Sequence, residues 1–132
     1  MLISQKETYS IIGACLTVHK KLGSGFLESV YQEALEIEFS KLNIQFDRQK
    51  KLPVFFSDVK LKKYFVADFV CYNEIIVEIK VMPFITQQSQ NQVINYLKST
   101  NSTLGLLINF GSSSLTWKRF INTPPCNPLK SV

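Results

Sequence analysis

Tyr9, Ile12, Leu16 and then His19 or Lys20 recur at intervals of three or four within residues 5–21. That period predicts a helix, which the glycines of "LGSG" (22–25) stop. A second helical period runs from about Phe26 to Leu42, with Leu27, Val30, Tyr31, Ala34, Leu35 and Leu42 on one stripe and Glu33 and Glu36 pointing away. From Gln45 the pattern becomes that of strands. "IQFDRQKKLPVFF", "VKLKKYFVADFVCY" and "IIVEIKV", separated by "SD" and by a short turn at Asn73, predict an antiparallel meander. Pro83 ends the third strand, and "TQQSQNQVINYLKST" (86–100) returns to helical spacing with Val93, Ile94 and Leu97 as its apolar side. "LGLLINFG" (104–111) is a continuous apolar run, as expected of a strand covered on both faces. "LTWKRFI" predicts an edge strand, and the Pro-rich tail "NTPPCNPLKSV" an irregular end. The order helix, helix, three strands, helix, strand, strand predicts an α/β sandwich with a mixed central sheet.

Three charges interrupt this pattern. In "FVADFVCY" alternation puts Val66, Asp68, Val70 and Tyr72 on one face and Phe65, Ala67, Phe69 and Cys71 on the other, so Asp68 lies in a strand apolar on both sides. In "EIIVEIKV", Glu74, Ile76, Glu78 and Lys80 share one face and Ile75, Val77, Ile79 and Val81 the other. An unpaired buried charge costs several kcal/mol, so these groups need partners. The hairpin decides whether they meet, since a slip of one residue moves a side chain to the opposite face. A two-residue loop pairing Tyr72 with Ile75 separates Asp68 from Glu78. A three-residue loop over Asn73, Glu74 and Ile75 pairs Tyr72 with Ile76 and brings Asp68, Glu78 and Lys80 to one face; Asn73 suits it because Asn tolerates the left-handed conformation.

Two carboxylates at close range repel, and a divalent cation removes the repulsion and much of the desolvation penalty. Hard oxygen ligands favour Mg²⁺ or Mn²⁺, the former at about 2.0 to 2.1 Å, with several positions left for water and substrate phosphate. Lys80 would then orient or deprotonate an attacking water, or neutralise charge developing on a phosphate. A buried ion pair between Lys80 and one of the carboxylates is the competing reading.

Composition is consistent with this picture without deciding it. The chain has 132 residues, 45% hydrophobic and 19% charged, which suits one folded domain over 1–132. A net charge of +5 is compatible with a polyanionic partner. Its Lys and Arg residues gather in "DRQKK" (47–51), "KLKK" (60–63) and "KR" (118–119), at strand ends or loops where a phosphate backbone would be reached; a solvated surface explains them equally well. Cys15, Cys71 and Cys126 fit neither a zinc spacing nor a disulfide framework, which points to a reducing cytoplasm. No signal-like start and no apolar stretch of membrane-spanning length are expected.

Asp68, followed ten residues later by Glu78-Ile79-Lys80 on the next strand, resembles the D…(D/E)xK signature of the PD-(D/E)XK nuclease superfamily, and the element order resembles its restriction-endonuclease-like αβββαβ core. "GFLESVY" (25–31) matches the GxxExxY motif of the small proteins named after it, through Gly25, Glu28 and Tyr31; "HKKLGSG" and "GLLINFG" also resemble that family. The resemblance implies a Mg²⁺-dependent nuclease. Asp68 and Glu78, with the Ile79 carbonyl, would hold the metal, Glu28 from the first core helix would orient a water on it, and Lys80 would assist that water. Gln92 and Tyr96 in "QVINY" are similar to the QxxxY motif of RecB-type members and would line the site. Ala67 stands where the nominal proline precedes the aspartate. His19 and Glu38 are further candidates, the second a rival third carboxylate. Nucleic acid is the implied partner, DNA ahead of RNA, with no membrane. The rivals are a noncatalytic nucleic-acid-binding or regulatory module of the same fold, and an interaction protein, a homodimer formed through Phe55, Phe56 or Trp117.

Overall fold

The computed structural model describes residues 5–100 and 102–122. Its elements, in chain order, are α1 (Gln5–Leu22), α2 (Glu28–Lys41), β1 (Phe46–Phe56), β2 (Val59–Cys71), β3 (Ile75–Lys80), α3 (Gln87–Thr100), β4 (Leu104–Asn109) and β5 (Thr116–Ile121). The strands form one mixed sheet in the order β1-β2-β3-β4-β5, antiparallel except for the parallel β3–β4 pair that α3 connects. The expected α/β sandwich with a mixed central sheet is what the chain forms. The Pro-rich tail lies outside the described residues, and among those described no helix is long and apolar enough to cross a membrane.

Two hydrophobic layers enclose the sheet. Phe69, Val77, Ile79, Leu106 and Ile108 pack against α1 and α2, while Val70, Ile76 and Leu107 pack against Val93 and Leu97 of α3. Six consecutive residues of β4 are therefore buried, because both of its faces are covered.

The helices are rotated relative to the expected stripes. In α1 the buried side is Ile11, Ile12, Ala14, Cys15, Val18 and His19, and Tyr9 is 82% exposed. In α2 it is Tyr31, Gln32, Leu35 and Phe39, whereas Leu27 is 75% exposed and Val30 and Leu42 also face outward. A helix with apolar residues on several sides allows more than one projection, and the Phe39–Phe69 edge contact at 5.3 Å helps select this one.

The motif residues have local structural duties. Gly23 and Gly25 take positive φ values of 73° and 111°, which reverses the chain between α1 and α2. Buried Tyr31 fixes this turn, donating its hydroxyl to the Gly23 carbonyl at 2.5 Å and accepting the Phe26 N–H at 3.3 Å, with its ring stacked on Phe110. Fully buried Asn109 holds the segment after β3 by accepting the Met82 N–H and donating to the Met82 carbonyl. Gly111 follows, and a Cβ there would overlap the Met82 backbone nitrogen and carbonyl.

Gly111→Ala is therefore expected to lower stability by about 1–3 kcal/mol, since backbone rather than a flexible side chain must move. Thermal denaturation that leaves the melting temperature unchanged would contradict this close approach.

Candidate active site

The β2–β3 hairpin sets the site. Its ladder pairs Cys71 with Ile75, Val70 with Ile76 and Phe69 with Val77, closed by a three-residue loop over Tyr72, Asn73 and Glu74. The expected loop was of the same length but one residue further on; Tyr72 and Asn73, at φ 55° and 62°, adopt the left-handed conformation expected of Asn73 alone. Moving the loop by one residue shifts the pairing by two, so parity survives, and the register continued from Phe69–Val77 puts Asp68 opposite Glu78.

At that level the ladder stops. The Asp68 N–H donates to Glu78 Oε2 at 3.0 Å, and the Ile79 N–H donates to Asp68 Oδ2 at 2.8 Å. Each carboxylate thus takes a backbone donor from the other strand. Regular alternation directs the Asp68 N–H to β1, so its turn toward β3 marks a local deformation of β2. Gln49, opposite it in β1, has φ 50°. The deformation also explains a departure from the expected faces. Phe65 and Ala67 pack on the α3 side while Phe69 and Cys71 pack under α1 and α2, although strict alternation puts all four together.

Glu78 is 6% exposed. Burial pushes its carboxyl up, Asp68 adds to this, and the Asp68 N–H and Lys80 oppose it. Burial likewise raises Asp68, against the opposing effects of the Ile79 N–H, Lys80, Gln49 and Gln32. Glu28, at the start of α2, is raised by burial and by Asp68 and lowered by Lys80. Lys80 therefore interacts with all three carboxylates, yet among the described residues it forms no ion pair within 4.0 Å.

Gln32, which sequence reasoning passed over, joins two of the carboxylates. Its amide donates to Asp68 Oδ1 at 3.1 Å and to Glu28 Oε2 at 3.3 Å, and its oxygen accepts from Gln49 at 3.2 Å. The available signal was a polar residue four positions after Glu28, flanking the Tyr31, Leu35 and Phe39 stripe. Glu28 thus stands one side chain back from the pair. No three His, Cys, Asp or Glu side chains among the described residues form a metal-binding cluster by themselves.

Asp68 and Glu78 nevertheless suit a small hard cation. Among the described residues Glu78 Oε1 receives no hydrogen bond, and the Lys80 carbonyl accepts from the Phe110 N–H just after β4, so extended backbone turns the neighbouring Ile79 carbonyl to the opened β2 side. That gives two carboxylates and one carbonyl, a donor set typical of Mg²⁺ with water completing the shell.

The remaining candidates divide. Gln92 and Lys80 line an open groove of about 630 Å³ beside the pair, together with Met82, Gln88 and Asn95. Tyr96 stacks on Phe65; burial and then Glu78 raise its hydroxyl, with a Gln92 hydrogen bond opposing. His19 instead lies buried against Phe110 and its Nε2 meets the Ser112 carbonyl at 3.0 Å, outside the carboxylate cluster. Glu38 pairs with Lys41 at 3.9 Å, ten residues and roughly 15 Å along α2 from Glu28. Cys15 and Cys71 are free and buried, with thiols pushed up by burial, so neither is a poised nucleophile.

A sequence model of the PD-(D/E)XK nuclease superfamily matches residues 5–120. The fold is correspondingly restriction-endonuclease-like. No curated protein matches. A protein titled "Crystal structure of SSO0001" is similar in fold, with a TM-score of 0.58 at 15% identity over 95% of this chain and 71% of that one.

The raised carboxyls imply a pH dependence. An acid whose folded pKa lies above its unfolded value favours folding while protonated, so metal-free protein loses stability as pH rises from about 4.5 to the raised folded value. Glu78→Gln removes this loss while retaining an oxygen acceptor for the Asp68 N–H. In EDTA the variant is expected to exceed the parent by about 2 kcal/mol at pH 8 and to converge with it near pH 4. Chemical denaturation at both pH values checks this; a gap independent of pH would contradict it.

Proposed function

The chain belongs to the PD-(D/E)XK nuclease superfamily, and from that premise we propose a Mg²⁺- or Mn²⁺-dependent nuclease hydrolysing phosphodiester bonds. On this reading it acts on DNA in preference to RNA, as one domain over residues 1–132 of the GxxExxY type. The observation that carries the reading is the reciprocal backbone exchange between Asp68 and Glu78, which gathers two destabilised carboxylates where the ladder has opened.

Asp68 and Glu78, with the Ile79 carbonyl, would hold the cation. When bound, it supplies Lewis-acid polarisation of the phosphoryl oxygens and neutralises developing charge. Lys80, next along the strand, orients the attacking water and stabilises negative charge growing on the phosphate. Gln32 is a positioning residue: it fixes the Asp68 carboxylate and keeps Glu28 directed at the site, where Glu28 orients water. Gln92 and Tyr96 line the approach, Tyr96 anchored by its stack on Phe65.

A nucleic-acid-binding domain that does not cut is the competing reading, favoured by the setback of Glu28 behind Gln32. Labelled DNA and RNA incubated with the protein and Mg²⁺ or Mn²⁺ separate the two. Cleavage is expected, with Asp68→Ala and Lys80→Ala each slower by about 100-fold or more; equal products from all three proteins would overturn the assignment. Mn²⁺ should also raise the melting temperature of the parent by several degrees and leave Asp68→Ala unmoved. Gln32→Met is expected to reduce kcat about 10-fold with little change in KM. A purely structural role would change its melting temperature without that kinetic split.

A further inference from the structure

β1 and β2 continue well beyond the sheet that supports them. β3 meets β2 only at residues 69–71, so residues 59–67 pair with β1 alone and form a two-stranded ribbon. One side of this ribbon is covered: Leu52, Val54, Phe65 and Ala67 pack with Val93 and Tyr96 of α3. The paired positions Lys51–Val66 and Pro53–Tyr64 fall on the other side, which no described helix covers; beyond a register shift, the Phe55–Lys60 pair lies at the ribbon tip, where Phe55 borders a cavity with Lys98 and Ser99 of α3. Tyr64 is 53% exposed and Phe55 45%, and Lys51 and Lys60 are exposed. The face leads to Asp68, whose carboxylate meets Gln32 of α2 on the side of the sheet away from α3.

Its chemistry is specific. Residues 50–66 hold five lysines against one aspartate, and so carry four of the chain's five net positive charges. The lysines alternate with aromatic rings: Lys60 lies opposite Phe55, the Lys51 ammonium sits 5.0 Å from the Tyr64 ring centroid, and Lys62 lies between Lys60 and Tyr64. A row meant only for duplex phosphates has no use for exposed rings, and a protein partner would not call for such a concentration of one sign of charge. Cations that follow a phosphate backbone, interleaved with rings on which unpaired bases stack, suit a single strand. From Lys60 to Asp68 the ribbon spans roughly 26 Å.

We propose that this uncovered ribbon face binds single-stranded nucleic acid and leads it to the Asp68–Glu78 site. The proposal rests on the nuclease reading for what happens at the end of the track, but its binding step is measurable alone. Lys51, Lys60 and Lys62 contact phosphates, Tyr64 stacks a base on the face, and Phe55 stacks one at the ribbon tip.

The test is fluorescence anisotropy of the full chain in EDTA, with a labelled single-stranded DNA, its duplex and the matching RNA strand, titrated over salt; cleavage with Mn²⁺ is measured in parallel. Tighter binding of a single strand than of the duplex is expected. Lys51→Gln/Lys60→Gln/Lys62→Gln should weaken it about 10-fold or more at 0.1 M salt and reduce the slope of log K against log salt by about 2. Tyr64→Ala and Phe55→Ala should each lower affinity by roughly 5-fold or more without that change in slope. Lys118→Gln/Arg119→Gln, on the far edge strand, should alter binding far less, and equal melting temperatures control for folding. Preference for the duplex, or a lysine variant that binds and cuts like the parent, overturns the proposal and leaves the nuclease reading standing. Sedimentation showing a dimer broken by Phe55→Ala and Tyr64→Ala, with no loss of DNA binding, also overturns it. Salt-dependent binding without cleavage supports the track and overturns the nuclease reading, whereas absence of any binding overturns both.

Discussion

The interruption of the β2–β3 ladder at Asp68 is the constraint on which the rest depends. Three residues of regular pairing end where an Ile79 N–H meets a carboxylate instead of a carbonyl, and the Asp68 N–H turns across to Glu78. Both donors remain satisfied, so the strands part without leaving orphaned backbone. The cost is electrostatic, because two buried carboxyls face each other with their ionised forms disfavoured. An apolar pair at these positions would pack with neither penalty. A fold that retains such a pair has concentrated local instability at one point, and the neighbouring structure is arranged to hold that point in register.

The support comes from both layers. On one side, α2 enters with Glu28 in its first turn, where its dipole tolerates negative charge, and Gln32 one turn later reaches Asp68. The entry angle of α2 is fixed by the Tyr31 hydroxyl across the Gly23–Phe26 turn, so the tyrosine of the motif orients the helix that carries its glutamate. On the other side, Asn109 and Gly111 clamp Met82 and with it the end of β3 that carries Lys80. Residues far apart in sequence thus serve as a frame around four ionisable groups, which accounts for motif positions that touch no reacting atom.

Much of this was legible in the sequence because it depends on parity and period. The element order, the mixed sheet and the convergence of Asp68 with Glu78 follow from alternation and from an odd loop length, and a one-residue displacement of the loop, which shifts the pairing by two, leaves them intact. What alternation could not supply is the deformation at Asp68, where Phe65 and Ala67 part company from Phe69 and Cys71. That break arises from tertiary contacts with Glu78 and Gln49, which no local pattern encodes. The helix faces failed for a related reason: Leu27, Val30 and Leu42 are apolar but exposed, and only packing against Phe69 and Phe110 selects the Tyr31 side. Gln32 was invisible because an amide on a helix is usually solvated, and its importance lies in two carboxylate partners, one of them 36 residues away.

Charge is distributed unevenly enough to constrain how the parts work together. The ribbon holds most of the net positive charge, whereas its inner end meets three carboxyls attended by one lysine. A phosphodiester drawn along the basic face therefore reaches a location of its own sign. Without a cation, the last step of approach works against repulsion in a partly buried setting, where screening by salt is weak. With one, the same carboxylates become ligands and the repulsion becomes attraction. On the nuclease reading, cation and substrate must then assist each other's binding, since each lowers the electrostatic cost of the other; this coupling is reciprocal by thermodynamic necessity. The ribbon governs where the polyanion lies and the opened ladder governs when its phosphate can enter, and the strand β2 that runs through both joins the two functions.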